Sequence, residues 1–399
     1  MEKQPDSLRP HIVLCGPVNA GKSSLMNALT GQEAAIVSDT AGTTTDAVSK
    51  AMELLPLGPV VFTDTAGLGD RSVLGEKRMT KTAVALAGAE VMLAVIDVRH
   101  LFFDFPATEA EKVVAVTHCD CVDEDMVAAR MDELRQRIPA AGIVAVSSKT
   151  GNGIEDLKRV LVSVLEEKKQ NESVLMEGLT GENKLFVLVC PIDGEAPAGR
   201  LILPQVQTIR RILDTHGTAV TVQPQQLSQA LALLGDRIDL VVTDSQAVGV
   251  CAQTVPPSIK LTTFSVLFSA WRGDIRTYIR NAAVLDSLQD DDSVLIAEAC
   301  THQVHCEDIG RVKLPRMIRK YTGKNPHIDV FGGGYPDDIS RYKLIIHCGG
   351  CMMTAARMRS RTRQAVAAGV PITNYGVAIS HMQGVLRRIT EIYENEKEQ

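Results

Sequence analysis

The chain has 399 residues, of which 45% are hydrophobic and 23% are charged, and its net charge is −6 at neutral pH. This length exceeds that of one ordinary hydrophobic core, so we expect about three domains. Acidic and basic residues are interspersed without a basic stripe, which argues against a nucleic-acid partner. The amino-terminal stretch lacks the pattern of a signal peptide or a membrane span, so we expect a cytoplasmic protein with no membrane partner.

From residue 11 to about 165, short apolar runs alternate with helix-like segments. This alternation is typical of a parallel sheet built from strand-helix-strand units. The apolar runs are HIVLCG, PVVFTD, VMLAVID, VVAVTH and IVAVS. The last helical pattern is followed by the charged residues 166–173, which we interpret as a linker. The sequence therefore predicts an α/β domain over residues 1–168.

The stretch GPVNAGKSS, residues 16–24, fits the phosphate-binding pattern G-x-x-x-x-G-K-[ST] between a predicted strand and a predicted helix. Glycines let backbone N–H groups surround the phosphates, the lysine reaches the terminal phosphates, and a serine hydroxyl binds Mg²⁺. Farther on, DTAG follows the strand PVVFT and supplies a carboxylate for Mg²⁺ and a glycine N–H for the γ-phosphate. The nucleotide-site residues predicted in these two stretches are Gly16, Asn19, Gly21, Lys22, Ser23, Ser24, Asp64 and Gly67.

The guanine-binding motif N-K-x-D is represented here by THCD, residues 117–120. Asp120 is able to accept hydrogen bonds from the N1 and N2 groups of guanine, so we predict that the site prefers GTP to ATP. Ser148 and Lys149 stand where the sequence S-A-K normally lies against the base. Because His118 lacks the lysine stem that packs on the purine, we expect moderate nucleotide affinity.

Together these motifs resemble the translation-factor-like GTPases, and most closely the tRNA-modification GTPases. The resemblance implies that the loop SDTAGTTTD, residues 38–46, closes over the metal. Within this loop it implies Thr44 as the Mg²⁺ ligand, with Thr43 as the alternative.

Leu68 follows DTAG at the position where Ras-like GTPases have glutamine, so another group must position the attacking water. The resemblance implies K⁺ as an activating ion, bound in part by Asn19, and Glu76 as a candidate for orienting water. Lys22, Asn19, Thr44 and Glu76 are therefore the predicted catalytic residues. Intrinsic GTP hydrolysis should be slow.

Two further α/β segments follow, over residues 174–262 and 263–399. The first contains the strand candidates LFVLVC and IDLVVT and apolar helical surface without catalytic groups, which favours a homodimer through this segment. The second contains the strand candidates SVLIAEA, HIDVFGG, KLIIHC and PITNYGV, and the order again predicts a parallel sheet. Cys300 and Cys348 lie at the carboxyl ends of two of these strands, the edge where open α/β sheets bind ligands.

The last quarter of the chain pairs C-T-H, residues 300–302, with H-C-G-G-C, residues 347–351. The second motif alone is compatible with a dithiol redox pair at a helix N-terminus. Three thiolates with nearby imidazoles suit either a zinc site or a 4Fe-4S cluster with one position that is not filled by cysteine. A fourth cysteine, Cys306, is either a rival ligand or a buried thiol, and we favour the buried thiol.

The cysteine pattern, joined to a GTPase domain, resembles the FeFe-hydrogenase maturation GTPases over essentially the whole chain. The resemblance implies Cys300, Cys348 and Cys351 as ligands of a 4Fe-4S cluster, with His302 and His347 as candidates for the fourth position. It implies a dimerisation domain over residues 174–262 and a cluster-binding domain over residues 263–399.

The same resemblance implies a scaffold that delivers a two-iron precursor to apo FeFe-hydrogenase. Its implied partners are that hydrogenase, two radical-SAM maturases and a second copy of the chain, as a homodimer or higher oligomer. The alternative hypotheses are a GTP-regulated protein with structural zinc and a tRNA-modification-type GTPase.

Overall fold

The computed structural model describes residues 9–31, 48–65, 68, 81–171, 173–192, 201–298, 309–350 and 353–393. The chain divides into two compact units, which comprise residues 1–172 and 173–399.

The first unit contains a six-stranded sheet with the order β2-β3-β1-β4-β5-β6. All neighbouring strands are parallel except β2, which pairs antiparallel with β3 at the edge. The strands are β1 (His11–Cys15), β2 (Val48–Leu54), β3 (Gly58–Asp64), β4 (Val91–Asp97), β5 (Glu111–Thr117) and β6 (Gly142–Ala145). All residues of the central strand β4 are buried, because the strand is covered on both faces.

Helices pack on both faces of this sheet. They are α1 (Lys22–Thr30), α2 (Glu124–Arg137) and α3 (Ile154–Asn171), and residues 81–86 are also helical. Alternate strand residues pack on α1 and α3, whereas the residues between them pack on α2. Helix α2 begins where the Asp123 carboxylate accepts a hydrogen bond from the backbone N–H of Met126, which satisfies an end group of the helix.

The second unit contains two four-stranded parallel sheets. The first has the order β10-β9-β7-β8, and the second has the order β12-β11-β13-β14. Their strands are β7 (Leu185–Val189), β8 (Thr218–Val222), β9 (Leu240–Thr243), β10 (Lys260–Thr263), β11 (Ser293–Glu298), β12 (His327–Gly332), β13 (Leu344–His347) and β14 (Ile372–Asn374).

The helices of the second unit alternate with these strands. They are α4 (Leu203–Asp214), α5 (Leu227–Leu234), α6 (Val248–Thr254), α7 (Phe264–Arg272), α8 (Ile275–Ala282), α9 (Leu314–Thr322), α10 (Ala355–Ala367), α11 (Tyr375–Met382) and α12 (Leu386–Thr390). One hydrophobic cluster contains residues of both sheets, so the two sheets share a core.

Strand β10 continues into helix α7 without a connecting loop, because Thr263 both ends the strand and caps the helix. The carboxyl-terminal part of the chain returns to this region. The Thr262 hydroxyl donates to the carbonyl of Ile389 at 2.8 Å, and Arg388 donates to the carbonyls of Ala252 and Val255 at 2.7 and 2.6 Å. Hydrogen bonds therefore connect helix α12 to strand β10 and to the region of α6.

The predicted α/β class is confirmed, and the other apolar runs named from the sequence form strands. The strand prediction for PITNYGV was wrong in its second half, because Asn374 ends β14 and its side chain accepts from the backbone N–H of Val377 to cap helix α11. Strands β2, β8 and β10 were not predicted. The predicted linker was wrong over most of its length, because α3 continues to Asn171 through residues with high helix propensity. Among the described residues, no helix has the length and hydropathy needed to cross a bilayer.

Candidate functional site

The phosphate-binding loop connects β1 to α1. A β-carbon at Gly16 would lie 2.3 Å from the carbonyl oxygen of Val95, so the close approach of loop and strand requires glycine. Gly21 has a φ of 84° and Asn19 a φ of 64°, both in the left-handed region. The predicted loop residues Gly16, Asn19 and Gly21 thus give the backbone the shape that surrounds a phosphate.

Lys22 is buried at the first position of α1, and its ammonium group donates to the carbonyls of Gly16 at 3.1 Å and Pro17 at 2.8 Å. Burial lowers the pKa of Lys22, and the nearby Asp64 carboxylate partly opposes this effect. The amino group of Lys22 therefore lies inside the loop, where phosphate oxygens are expected.

Ser23 and Asp64 lie next to each other beside this loop. The Ser23 hydroxyl donates to Asp64 Oδ2 at 2.6 Å. Asp64 Oδ1 is buried and has no hydrogen-bond partner in the part of the chain that the structure describes. A hydroxyl and a carboxylate oxygen with spare acceptor capacity suit the oxygen preference of Mg²⁺. These two residues therefore fit the predicted metal position, and Ser24 is exposed beside them on α1.

Four predicted residues of the GTPase site lie outside the described residues, namely Thr43, Thr44, Gly67 and Glu76. Leu68 is buried, and its backbone N–H donates to the carbonyl of Gly16 at 2.9 Å. Asn19 is exposed. The K⁺ site and the residue that orients water therefore stay predictions.

Thr117 connects the guanine-binding motif to the phosphate-binding loop, a role that the sequence analysis did not assign. Its buried hydroxyl is 2.8 Å from the carbonyl oxygen of Ala20 and 3.2 Å from that of Ile96. Thr117 occupies the asparagine position of N-K-x-D. This position in the motif is the sequence feature from which its role could have been predicted.

Asp120 is supported by Ser147, a second residue that the sequence analysis missed. The Ser147 hydroxyl donates to Asp120 Oδ1 at 2.8 Å and holds the pKa of Asp120 below its ordinary value. The positive charge of Lys149 acts in the same direction. Ser148 and Lys149 follow directly, and Lys149 is exposed. Asp120 Oδ2 accepts a longer contact from the Cys121 thiol, at 3.8 Å, which a ligand donor would replace.

His118 packs against the phosphate-binding loop. A β-carbon at Gly21 would lie 3.2 Å from His118 Cε1, so the imidazole covers this glycine. Its Nδ1 is 3.3 Å from Asp97 Oδ2. Burial opposes ionisation of Asp97, yet hydrogen bonds from Arg99 outweigh this effect and lower the pKa of Asp97. Asp97 thus fixes the imidazole at the position that the motif normally gives to lysine.

The second candidate site lies at the carboxyl edge of the last sheet. Strand β13 ends at His347, and the Cys348 backbone N–H donates to the carbonyl of Ala297 in β11 at 2.9 Å. Cys348 is half-buried. Strands β11 and β13 are parallel neighbours, and Cys300 follows two residues after β11 ends at Glu298. The two strands that precede the cysteine motifs in the sequence therefore end at the same edge of the sheet.

Three of the predicted residues of this site, Cys300, His302 and Cys351, lie outside the described residues. Over the described ranges alone, no group of three or more His, Cys, Asp or Glu side chains is arranged to bind a metal ion. The predicted cluster site therefore has one described thiol, Cys348, and one described imidazole, His347.

Both ring nitrogens of His347 form hydrogen bonds within the protein. Nδ1 is 2.6 Å from the carbonyl oxygen of Cys348, and Nε2 is 2.8 Å from Arg361 Nη1. Because a guanidinium only donates, Nε2 accepts and the proton lies on Nδ1. Burial, followed by the charge of Arg361, lowers the pKa of His347 to about 3. As a ligand, His347 would have to exchange its bond to Arg361 for one to the metal.

The comparisons with family models divide the chain into three regions. Residues 11–177 match the 50S ribosome-binding GTPase model. Residues 175–273 match the hydrogen maturase F dimerization domain, and residues 276–392 match the hydrogen maturase F tetramerization domain.

Two curated relatives each match about two fifths of the chain. The tRNA modification GTPase MnmE of Zymomonas mobilis is 35% identical over 165 residues, which are 41% of this chain and 34% of the relative. The MnmE protein of Xanthomonas oryzae pv. oryzae (strain MAFF 311018) is 37% identical over 150 residues, which are 37% of this chain and 32% of the relative. The chain thus spans about a third of the length of these relatives.

Two solved structures also match about two fifths of the chain. Aquifex aeolicus Era bound to GDP and AlF4⁻ is 23% identical with a TM-score of 0.32, covering 39% of this chain and 56% of Era. The G domain of the T. maritima FeoB iron transporter is 23% identical with a TM-score of 0.29, covering 39% of this chain and 99% of that domain.

The two hydrogen maturase F models, side by side, match more than half of the 399 residues, and the GTPase model matches the residues before them. The chain therefore belongs to the hydrogen maturase F family.

Proposed function

We propose that this chain is a scaffold GTPase that binds a 4Fe-4S cluster and assembles or delivers a two-iron precursor to apo FeFe-hydrogenase. The observation that carries the proposal is the position of Cys348. It follows a strand inside the matched tetramerization domain, at the sheet edge beside the strand that precedes Cys300. The same chain contains a phosphate-binding loop in a GTPase domain. The two radical-SAM maturases are the proposed sources of the precursor.

At the nucleotide site, Lys22 would exchange its bonds to the carbonyls of Gly16 and Pro17 for bonds to phosphate oxygens of GTP. Mg²⁺ would be bound by Ser23 and Asp64, the latter through water, and by Thr44 or Thr43. The Gly67 N–H would contact the γ-phosphate. Because Leu68 cannot orient water, we propose slow hydrolysis.

The remaining nucleotide contacts are proposed from the sequence motifs. Asn19 would bind K⁺, and Glu76 would orient the attacking water. Asp120 would accept hydrogen bonds from guanine, and Ser148 and Lys149 would lie against the base. Ser147 donates to Asp120 and keeps its carboxylate ionised, which supports this assignment.

At the second site, Cys300, Cys348 and Cys351 would bind the cluster, with His302 or His347 as candidates for the fourth position. The buried Arg361 Nη2 has no hydrogen-bond partner among the described residues, and this spare donor beside a thiol fits an anionic ligand. When bound, a cluster with three thiolate ligands supplies one iron with an exchangeable ligand, beside which the two-iron cargo has room to bind.

The proposal is tested by anaerobic purification, with iron and acid-labile sulfide measured for each variant. Cys300→Ala, Cys348→Ala and Cys351→Ala should each lose most of the iron and all maturation of apo hydrogenase, but keep GTP hydrolysis. Cys306→Ala is the matched control and should keep its iron. Zinc without sulfide in the native protein would instead establish the structural-zinc hypothesis. Full iron content in Cys300→Ala with loss in Cys306→Ala would move the third ligand to Cys306.

A further inference from the structure

Arg361 is a buried cation beside the cysteine motif. It belongs to α10, and its side chain is only 5% exposed. Its Nη1 donates to the carbonyl of Glu298 at 3.3 Å and to His347 Nε2 at 2.8 Å. Its Nη2 is also buried but has no partner among the described residues. One face of the guanidinium therefore has an unused donor.

Glu298 accepts from Arg361 through its backbone carbonyl, but its carboxylate does not neutralise Arg361. The Glu298 carboxylate is paired with Arg311 at 2.8 Å. Arg357, one turn earlier on α10, is half-buried, and its Nη2 donates to the carbonyl of Gly333 at 3.4 Å. No carboxylate of the described residues forms an ion pair with Arg357 or Arg361. Burial and the charge of Arg357 both lower the pKa of Arg361, so the two cations repel each other.

A bound anion would balance the positive charges of Arg357 and Arg361. A buried charge without an opposite charge is unfavourable, and a charged hydrogen bond to an anion is among the strongest in proteins. Arg361 bonds to His347, the residue directly before Cys348, and a negative charge on Cys348 raises the pKa of Arg361. An iron-sulfur cluster with thiolate ligands carries negative charge that increases on reduction, and nearby charges and hydrogen bonds set its reduction potential.

We propose that Arg361, supported by Arg357, is the counter-cation of the anionic iron-sulfur cluster bound at Cys348 and raises its reduction potential. The inference rests on the proposed function for the presence of the cluster. In this inference Arg361 is not a ligand of the cluster. It acts on the cluster through its positive charge and through the spare Nη2 donor.

The test uses the full-length protein, reconstituted anaerobically with iron and sulfide. The variants are Arg361→Gln, Arg361→Lys and Arg357→Gln. Arg363→Gln is the matched control, because Arg363 is on the exposed side of the same helix. Iron and sulfide are measured first, and the midpoint potential is then determined by redox titration followed by electron paramagnetic resonance.

We expect Arg361→Gln to shift the reduction equilibrium about tenfold towards the oxidised form, which is about 59 mV for one electron. Arg361→Lys should retain most of the native potential, Arg357→Gln should lower it by a smaller amount, and Arg363→Gln should leave it unchanged.

A loaded Arg361→Gln protein with the native potential would overturn the inference and leave the proposed function intact. If Arg361→Gln fails to fold, Arg357→Gln decides the matter, and a native potential in that variant overturns the inference. A wild-type protein that takes up no iron and sulfide would overturn the proposed function itself.

Discussion

Replacing Thr117 by valine should weaken the contact between the guanine-binding motif and the phosphate-binding loop. Valine has nearly the shape of threonine, so the packing of this buried side chain is kept while its hydroxyl is lost. The carbonyl oxygens of Ala20, at 2.8 Å, and Ile96, at 3.2 Å, then lose the single hydroxyl donor that they share. The variant therefore isolates the hydrogen bonds from the packing.

A buried carbonyl left without its donor costs about 1–3 kcal/mol. The free energy of unfolding of the GTPase domain should fall by this amount, and its melting temperature by about 2–4 °C for each kcal/mol. Where the loss also disorders the loop, about 1–2 kcal/mol of binding free energy lowers GTP affinity about five- to thirty-fold.

Urea unfolding and titration with a fluorescent GTP analogue measure the two effects. Thr117→Ser restores a hydroxyl and should recover most of both. Thr30→Val is the matched control. The Thr30 hydroxyl donates to the carbonyl of Met26 one turn earlier in α1, and this carbonyl also has a backbone donor of the helix, so it keeps a partner when the hydroxyl is lost. If Thr117→Val has the stability and GTP affinity of the wild type, Thr117 does not connect the two motifs.

Four further predictions follow from the same residues. GTP hydrolysis should be faster in potassium than in sodium salts at equal ionic strength, and equal rates would remove K⁺ from the proposal. Asp120→Asn should lose its preference for GTP, because an amide N–H cannot accept from the guanine N1 and N2 groups; competition between GTP and ATP measures this, and an unchanged preference would contradict the role of Asp120. Arg99→Gln should destabilise the GTPase domain at neutral pH. Arg99 lowers the pKa of Asp97 in the folded state, so it stabilises the fold at pH values above the unfolded pKa of about 3.9. This stabilisation is lost as the pH falls through the lower folded-state pKa. The urea midpoints of the variant and the wild type should therefore converge in acid. Sedimentation at micromolar concentration should give a dimer or a larger oligomer, and a monomer would contradict the proposed oligomer.

The sequence predicted the phosphate-binding loop because its chemistry requires fixed residue types at fixed spacing, as the contact of Gly16 with Val95 illustrates. It did not predict Ser147, because a serine hydroxyl has no distinctive signal until its partner is known. Strand β2 was missed because an edge strand is partly exposed and lacks a continuous apolar run.

At the cysteine site, the sequence predicted the strands but not the contacts of the side chains. The strand ends before Cys300 and Cys348 were predictable from apolar runs. The bond between His347 and Arg361 was not, because it connects the end of a strand to a helix residue 14 positions later and depends on how that helix packs. A histidine beside a cysteine suggests a ligand, whereas only the tertiary contact reveals that both ring nitrogens have partners.

The direct continuation of β10 into α7 determines how this protein is best divided for engineering. A fragment that ends at residue 273 would include α7 but lack Arg388 and Ile389, which bond to Ala252, Val255 and Thr262. Its buried Leu261 would lose the covering helix α12, so such a fragment should be poorly soluble. Chimeras between relatives should therefore exchange residues 173–399 as one module, with the junction at residue 172 rather than between the two matched domains.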